Sequence, residues 1–86
     1  MKIVFSDRFI KHYEALAPDI QKLTDKKIKL LAQNLRHPSL RVKKMEGIAD
    51  IWEASITMNY RLTFKIQNNE LHLRVIGKHD EALRKP

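Results

Sequence analysis

At 86 residues the chain has room for one domain with one hydrophobic core, and every apolar face must contribute to it. Lys and Arg number 17 against 10 acidic residues, a net charge of +7 that favours polyanions or an acidic protein partner. The absence of cysteine excludes disulfides and thiolate metal sites and suits a reducing compartment. The opening Met-Lys-Ile-Val-Phe run is too short for a signal peptide or a membrane span, so a soluble, cytoplasmic protein without a membrane partner is expected.

Lys2 to Phe5 reads as a short strand. Ser6 and Asp7 then supply a helix start, the serine oxygen capping free N–H groups and the aspartate suiting the positive end of the dipole. Phe9, Ile10, Tyr13, Leu16 and Ala17 follow helical spacing, which predicts a first helix from about Asp7 to Leu16. Pro18 fits the first turn of a second helix, from about Pro18 to Leu35, with Ile20, Leu23, Ile28, Leu31 and Leu35 on one face. The two form a helical hairpin. Lys22, Lys26, Lys27 and Lys29 are read as an ordinary solvated helix face. Arg36-His37-Pro38-Ser39 stops the helix, because a residue before proline resists helical geometry. Leu40 to Gly47 has no clear period and is read as irregular or as a short edge strand, with Gly47 marking a turn.

From Asp50 the period becomes two. Ile51 to Ile56 places Trp52, Ala54 and Ile56 on one face and Glu53 and Ser55 on the other. Tyr60 to Ile66 sends Tyr60, Leu62 and Phe64 inward and Arg61, Thr63 and Lys65 outward. Glu70 to Ile76 follows Asn68-Asn69, a pair that tolerates the positive φ of a two-residue hairpin turn. That turn predicts Ile66 opposite Leu71, Phe64 opposite Leu73 and Leu62 opposite Val75. Outward, it predicts Lys65 beside His72, Thr63 beside Arg74, and Arg61 beside Ile76. The earlier hairpin keeps its faces consistent if Thr57-Met58-Asn59 is a three-residue loop with Asn59 left-handed, which sets Ser55 opposite Arg61 and Glu53 opposite Thr63. The expected fold class is α+β: an amino-terminal strand and helical hairpin packed on one face of a small, mainly antiparallel sheet. The polar tail from Lys78 to Pro86 is too short for a long helix and leaves the last strand near the level of Arg61.

Arg61, Arg74, Lys65 and His72 are thus expected on an uncovered basic face, with His79 at its edge. Such a platform suits a phosphodiester. Metal-independent RNA cleavage needs a base for the 2′-hydroxyl, a cation on the phosphate oxygens and an acid for the leaving oxygen. Arg61 is the natural phosphate clamp, since its planar fork donates two bonds to adjacent oxygens. His79 is the natural acid or base, and Glu53 or Glu46 is a candidate to complete the pair. The competing reading is that an antiparallel face left open to water is polar simply because it is wet. His12 and His37 read as surface or packing residues, and Trp52 as core rather than a base-stacking platform. His79 and Asp80, adjacent on an extended chain, are expected to point apart. The four histidines lack metal-ligand spacing, and with only Gly47 and Gly77 there is no glycine-rich phosphate loop. No metal or other cofactor is expected.

The run Tyr60-Arg61-Leu62-Thr63-Phe64, followed by Ile76-Gly77-Lys78-His79, resembles the RelE/ParE superfamily of bacterial toxins from toxin-antitoxin modules. The resemblance covers nearly the whole chain, including Lys43-Lys44-Met45-Glu46-Gly47 before the sheet and the Trp52 strand. It implies an endoribonuclease acting on messenger RNA, often in the ribosomal A site, and neutralised by a cognate antitoxin that wraps it in a hetero-oligomer. In such enzymes the arginine at the position of Arg61 contacts the scissile phosphate, and the residue just past the last strand's glycine, here His79, takes part in acid-base or phosphate chemistry. Arg74, Lys78, Lys43, Lys44 and Lys65 are then expected to position RNA. Two departures leave the general base open. Glu53 and Ser55 stand where several members carry Lys or Arg, and no tyrosine lies near the terminus. A ParE-like gyrase inhibitor and a degenerate RNA-binding module are the alternatives.

Overall fold

A computed structural model describes all 86 residues, Met1–Pro86. The order is β1 (Lys2–Phe5), α1 (Asp7–Glu14), α2 (Pro18–Gln33), a 3-10 turn (Pro38–Leu40), β2 (Lys43–Lys44), β3 (Trp52–Ser55), β4 (Tyr60–Gln67), β5 (Glu70–Lys78) and α3 (His79–Arg84). The strands form one sheet in the order β1-β5-β4-β3-β2, antiparallel except for the β1–β5 pair. This is the α+β architecture expected, an amino-terminal strand and helical hairpin against a mainly antiparallel sheet.

Local chemistry accounts for the element boundaries. The Ser6 hydroxyl accepts from the Phe9 N–H at 3.0 Å and caps α1, while Pro18 opens α2 where no N–H bond is needed. Each helix stops about two residues before the expected end. Ala15 caps α1, and the extended Asn34 ends α2, its side-chain oxygen accepting from Arg36 N–H. Thr24 is fully buried in α2 because its hydroxyl donates to the Ile20 carbonyl at 2.7 Å. No helix is long and apolar enough to cross a membrane.

The inward face of the sheet is the main core. Phe64, Leu62, Leu71, Leu73, Ile76 and Ala54 pack with Phe9 of α1, Ile28 and Leu31 of α2, and Leu40 of the 3-10 turn. Asn68 and Asn69 adopt φ of 53° and 60°, as the tight hairpin requires, and the expected pairs Ile66–Leu71, Lys65–His72 and Phe64–Leu73 form.

Beyond that point the register departs from expectation. A β-bulge lies between Thr63 and Phe64, with Arg74 as the extra residue of β5. Thr63 therefore faces Val75 rather than Arg74, Leu62 faces Ile76 rather than Val75, and Arg61 faces Gly77 rather than Ile76. The bulge turns Ile76 into the core and Val75 outward. Ser6 satisfies the disturbed backbone, its N–H donating to the Leu73 carbonyl and its hydroxyl to that of Arg74.

The second correction concerns the outer face, which is not left open. The tail forms α3, and α3 packs on β4 and β5. Its Ala82 is buried, as are Val75 and Thr63 on the strands beneath it, and the Pro86 carbonyl accepts from Thr63 Oγ1 at 3.1 Å and Arg74 Nε at 2.9 Å. Arg8 of α1 donates to the Lys85 carbonyl and ties the tail from the other side.

Candidate functional site

The β3–β4 hairpin places Glu53 opposite Thr63 and Ser55 opposite Arg61, as the spacing predicts. Residues directly opposed in an antiparallel pair share a face, so Glu53, Ser55 and Arg61 cluster at the end of the outer face that leads into the Thr57-Met58-Asn59 loop. Glu53 and Ser55 are buried. The Arg61 side chain is only 15% exposed, and its Nε lies 4.0 Å from Glu53 Oε1. Arg61 Nη1 donates to the carbonyls of Thr57, Met58 (2.9 Å) and Tyr60 (3.2 Å). The guanidinium is thus fixed by its own hairpin loop, and the carboxylate behind it lies in a desolvated setting.

The loop has the expected length, closed by the Ile56 N–H donating to the Tyr60 carbonyl at 3.0 Å. Asn59 does not take the expected left-handed conformation. The Thr57 hydroxyl instead accepts from the N–H groups of Asn59 (3.1 Å) and Tyr60 (3.2 Å), a side-chain turn that makes positive φ unnecessary. Thr57 is the functional-loop residue that sequence reasoning overlooked, and a hydroxyl two residues before Asn59 was its signal.

The same loop positions His79. The His79 N–H donates to the Asn59 carbonyl at 2.7 Å, so the loop that holds Arg61 also anchors the start of α3. The imidazole is half-exposed, beside a shallow cleft lined by Asn59, Tyr60, Lys78, His79 and Asp80. Asp80 does not point away, as an extended chain would require. Helical geometry brings its Oδ1 to 3.3 Å from His79 Nδ1, where the carboxylate can orient the ring.

The other candidates divide. Lys43 is exposed opposite Glu53, on the Arg61 face, whereas Lys44 is exposed opposite Trp52, on the core side of the sheet. Lys78 pairs with Tyr60 and so alternates to the side away from Arg61. Arg74 is drawn into holding the tail through Pro86. Lys65 opposes His72, and His72 meets Glu70 at 3.2 Å, toward the far end of the β4–β5 hairpin. Glu46 is exposed in the β2–β3 turn, at the opposite end of β3 from Ser55 and Arg61. The structure therefore gathers Arg61, Glu53, Lys43 and the His79 anchor at one end of the sheet, with Lys78 at the same end but on the opposite face, and leaves Glu46 and Lys65 elsewhere. No three His, Asp or Glu side chains cluster as a metal site.

No protein-family model and no curated protein sequence matches this chain. Solved structures do. The YoeB/ParE toxin from Agrobacterium tumefaciens superposes with a TM-score of 0.80 at 16% identity, over 92% of this chain and 99% of that one. A metal-bound toxin from Helicobacter pylori gives 0.77 at 23% identity, over 94% and 97%. The E. coli RelBE toxin-antitoxin complex gives 0.72 at 19% identity, over 90% and 94%. With three helices on a five-stranded sheet, and these neighbours matched over nearly their whole length, the chain has the fold of the RelE/ParE toxin superfamily.

Proposed function

We propose that the protein is the toxin of a toxin-antitoxin pair and that it cleaves messenger RNA as an endoribonuclease. The observation that carries this reading is the single loop, Thr57–Asn59, that anchors both Arg61 and His79, with the Glu53 carboxylate 4.0 Å from the guanidinium. These groups match the three tasks of RNA cleavage by a neighbouring 2′-hydroxyl. Glu53 or His79 takes the hydroxyl proton, and the 2′-oxygen attacks the phosphorus. Arg61 stabilises charge on the non-bridging oxygens. The 5′-oxygen leaves with a proton from the remaining acid, giving a 2′,3′-cyclic phosphate. Lys43 on the same face attracts the strand, and Asp80 orients His79. In this scheme every step uses side chains of the chain itself and none calls on a metal.

One observation favours the gyrase-inhibitor alternative. Arg61 is already bonded to three carbonyls, and a clamp so engaged has less of its fork to offer a phosphate. An antitoxin partner accords with the solved RelBE neighbour, which is a toxin-antitoxin complex. An acidic amphipathic segment would complement the net positive charge and the exposed Phe5 and Ile10 beside β1 and α1.

Inducible expression in a bacterium, with messenger RNA ends mapped, tests the proposal. The expected result is growth arrest with new RNA ends, and loss of cleavage by about a hundredfold or more in Arg61→Ala and His79→Ala. Growth arrest with gyrase inhibition and no new ends would replace the nuclease reading with the alternative. Cleavage undiminished in His79→Ala would retain Arg61 and remove His79 from the acid-base role.

A further inference from the structure

On the core side of the sheet, by the Trp52 end of β3, a groove of about 560 Å³ opens between β3, β4 and the 3-10 turn. Trp52, Phe64 and Ile66 line its floor, and Arg36, His37 and Arg41 stand around it. No acidic residue lines it. Trp52 packs against the main core, as its strand spacing suggests, yet it is only partly buried and presents aromatic surface to the groove.

Two features set this groove apart from an incidental cleft. Arg41 adopts a left-handed conformation, φ 47° and ψ 46°, which glycine or asparagine takes far more easily than a long side chain. Arg41 is exposed and lines the same groove as Trp52. His37 is also oriented: its Nδ1 accepts from the Ser39 N–H (3.2 Å) and hydroxyl (2.9 Å), which assigns the ring hydrogen to Nε2 as a donor. An aromatic surface flanked by two arginines and an imidazole donor, with no competing carboxylate, has the chemistry that receives an unpaired nucleobase and its phosphates.

The groove is also connected to the Arg61 site. β2 is the edge strand, and its two residues face opposite ways: Lys44 lies opposite Trp52 on the groove side, and Lys43 opposite Glu53 on the Arg61 side. Both lysines are exposed. A single strand crossing this edge passes from one face of the sheet to the other along a path of positive charge.

We propose that the groove beside Trp52 is a second nucleotide subsite, which stacks an unpaired base of the RNA strand whose scissile phosphate reaches Arg61, with Arg36 and Arg41 on the flanking phosphates. The identity of the strand rests on the nuclease reading; the subsite itself requires binding and no chemistry.

Trp52 is the only tryptophan in the chain, so its emission reports on the groove directly. The full chain is titrated with a single-stranded 2′-O-methyl oligoribonucleotide, which cannot be cleaved by its own 2′-oxygen, with an abasic strand of equal length, and with the duplex. Binding of each is measured in parallel by the anisotropy of a labelled strand. The expected result is saturable quenching of Trp52 by the single strand and at least threefold weaker binding of the abasic strand and the duplex. Arg36→Ala combined with Arg41→Asn, which suits the left-handed backbone, should weaken binding about tenfold. It should also reduce the salt slope of log K by about 1.4, since each single-strand phosphate that an arginine neutralises adds about 0.7 to that slope. Equal binding of the abasic strand, strand binding with Trp52 emission unchanged, or no binding of the single strand overturns the subsite. A Trp52 response to an acidic amphipathic peptide with none to RNA assigns the groove to a protein partner and overturns it as well. RNA cleavage in cells with Trp52 silent removes the subsite alone. Base-dependent quenching with no cleavage removes the nuclease reading and leaves the subsite standing.

Discussion

The two faces of the sheet are built on different physics. On the inner face, Leu62, Phe64, Leu73 and Ile76 meet Phe9, Ile28 and Leu31 in an apolar core, held by burial alone. On the outer face, Val75 and Ala82 bury only a small apolar area, and the remaining ties are polar: Thr63 and Arg74 to the Pro86 carbonyl, Arg8 to Lys85, Arg61 to its loop. The first arrangement tolerates apolar substitutions of similar volume. The second depends on particular donors and acceptors, and it buries Glu53 and most of Arg61, an arrangement that costs desolvation energy. The proposed site accordingly lies on the face that gives up stability to hold charges in place.

The largest test of that contrast is Phe64→Ala. Phe64 is 1% exposed in the centre of the inner face, and its truncation should lower the unfolding free energy in urea by about 3–5 kcal/mol. A loss below about 1 kcal/mol would show that the inner face is not the stabilising one.

Next is Glu53→Ala, which leaves a largely buried guanidinium without its carboxylate. A cost of about 1–3 kcal/mol is expected. In a double-mutant cycle with Arg61→Ala the two losses should fail to add by about 0.5 kcal/mol or more. Full additivity would mean that the 4.0 Å approach carries no coupling.

Thr63→Val removes one of the two side-chain donors to the Pro86 carbonyl at nearly constant volume, and Arg74 still donates. The expected cost is about 1 kcal/mol, with faster amide exchange along α3 than along β4. Unchanged exchange in α3 would separate its docking from this bond.

The smallest effect lies far from the site, where Tyr13 donates to Asp25 Oδ1 at 2.7 Å. That hydrogen bond, with burial and the carboxylate's charge adding to it, raises the Tyr13 hydroxyl above its ordinary pKa of about 10. The folded state therefore keeps a proton that the unfolded chain loses first. The resulting stability is present below about pH 10 and declines as pH rises toward the folded value. Tyr13→Phe should lower stability at neutral pH by about 1 kcal/mol or less and flatten the decline above pH 10. A decline as steep in the variant as in the parent would assign it to other groups.

Much of this molecule was legible in its residues. Ser6, Pro18 and Asn68-Asn69 determine their caps and turn by local stereochemistry, which needs no distant partner. Alternation in Trp52–Ser55 and Tyr60–Ile66 determines which side chains enter the core, and the placement of Glu53 and Ser55 beside Thr63 and Arg61 follows. Three things needed the fold. The bulge at Arg74 shifts the last strand by one residue, hinted at only by the adjacent apolar pair Val75-Ile76, because register in β5 answers to Ser6 and to the tail as well as to its turn. The covering of the outer face depends on Ala82 and the Pro86 carbonyl finding β4 and β5, which join segments far apart in the chain. The state of Arg61 was likewise a tertiary matter. Alternation shows which face an arginine occupies, while its ties to Thr57, Met58 and Glu53 arise only when the hairpin closes and water is excluded.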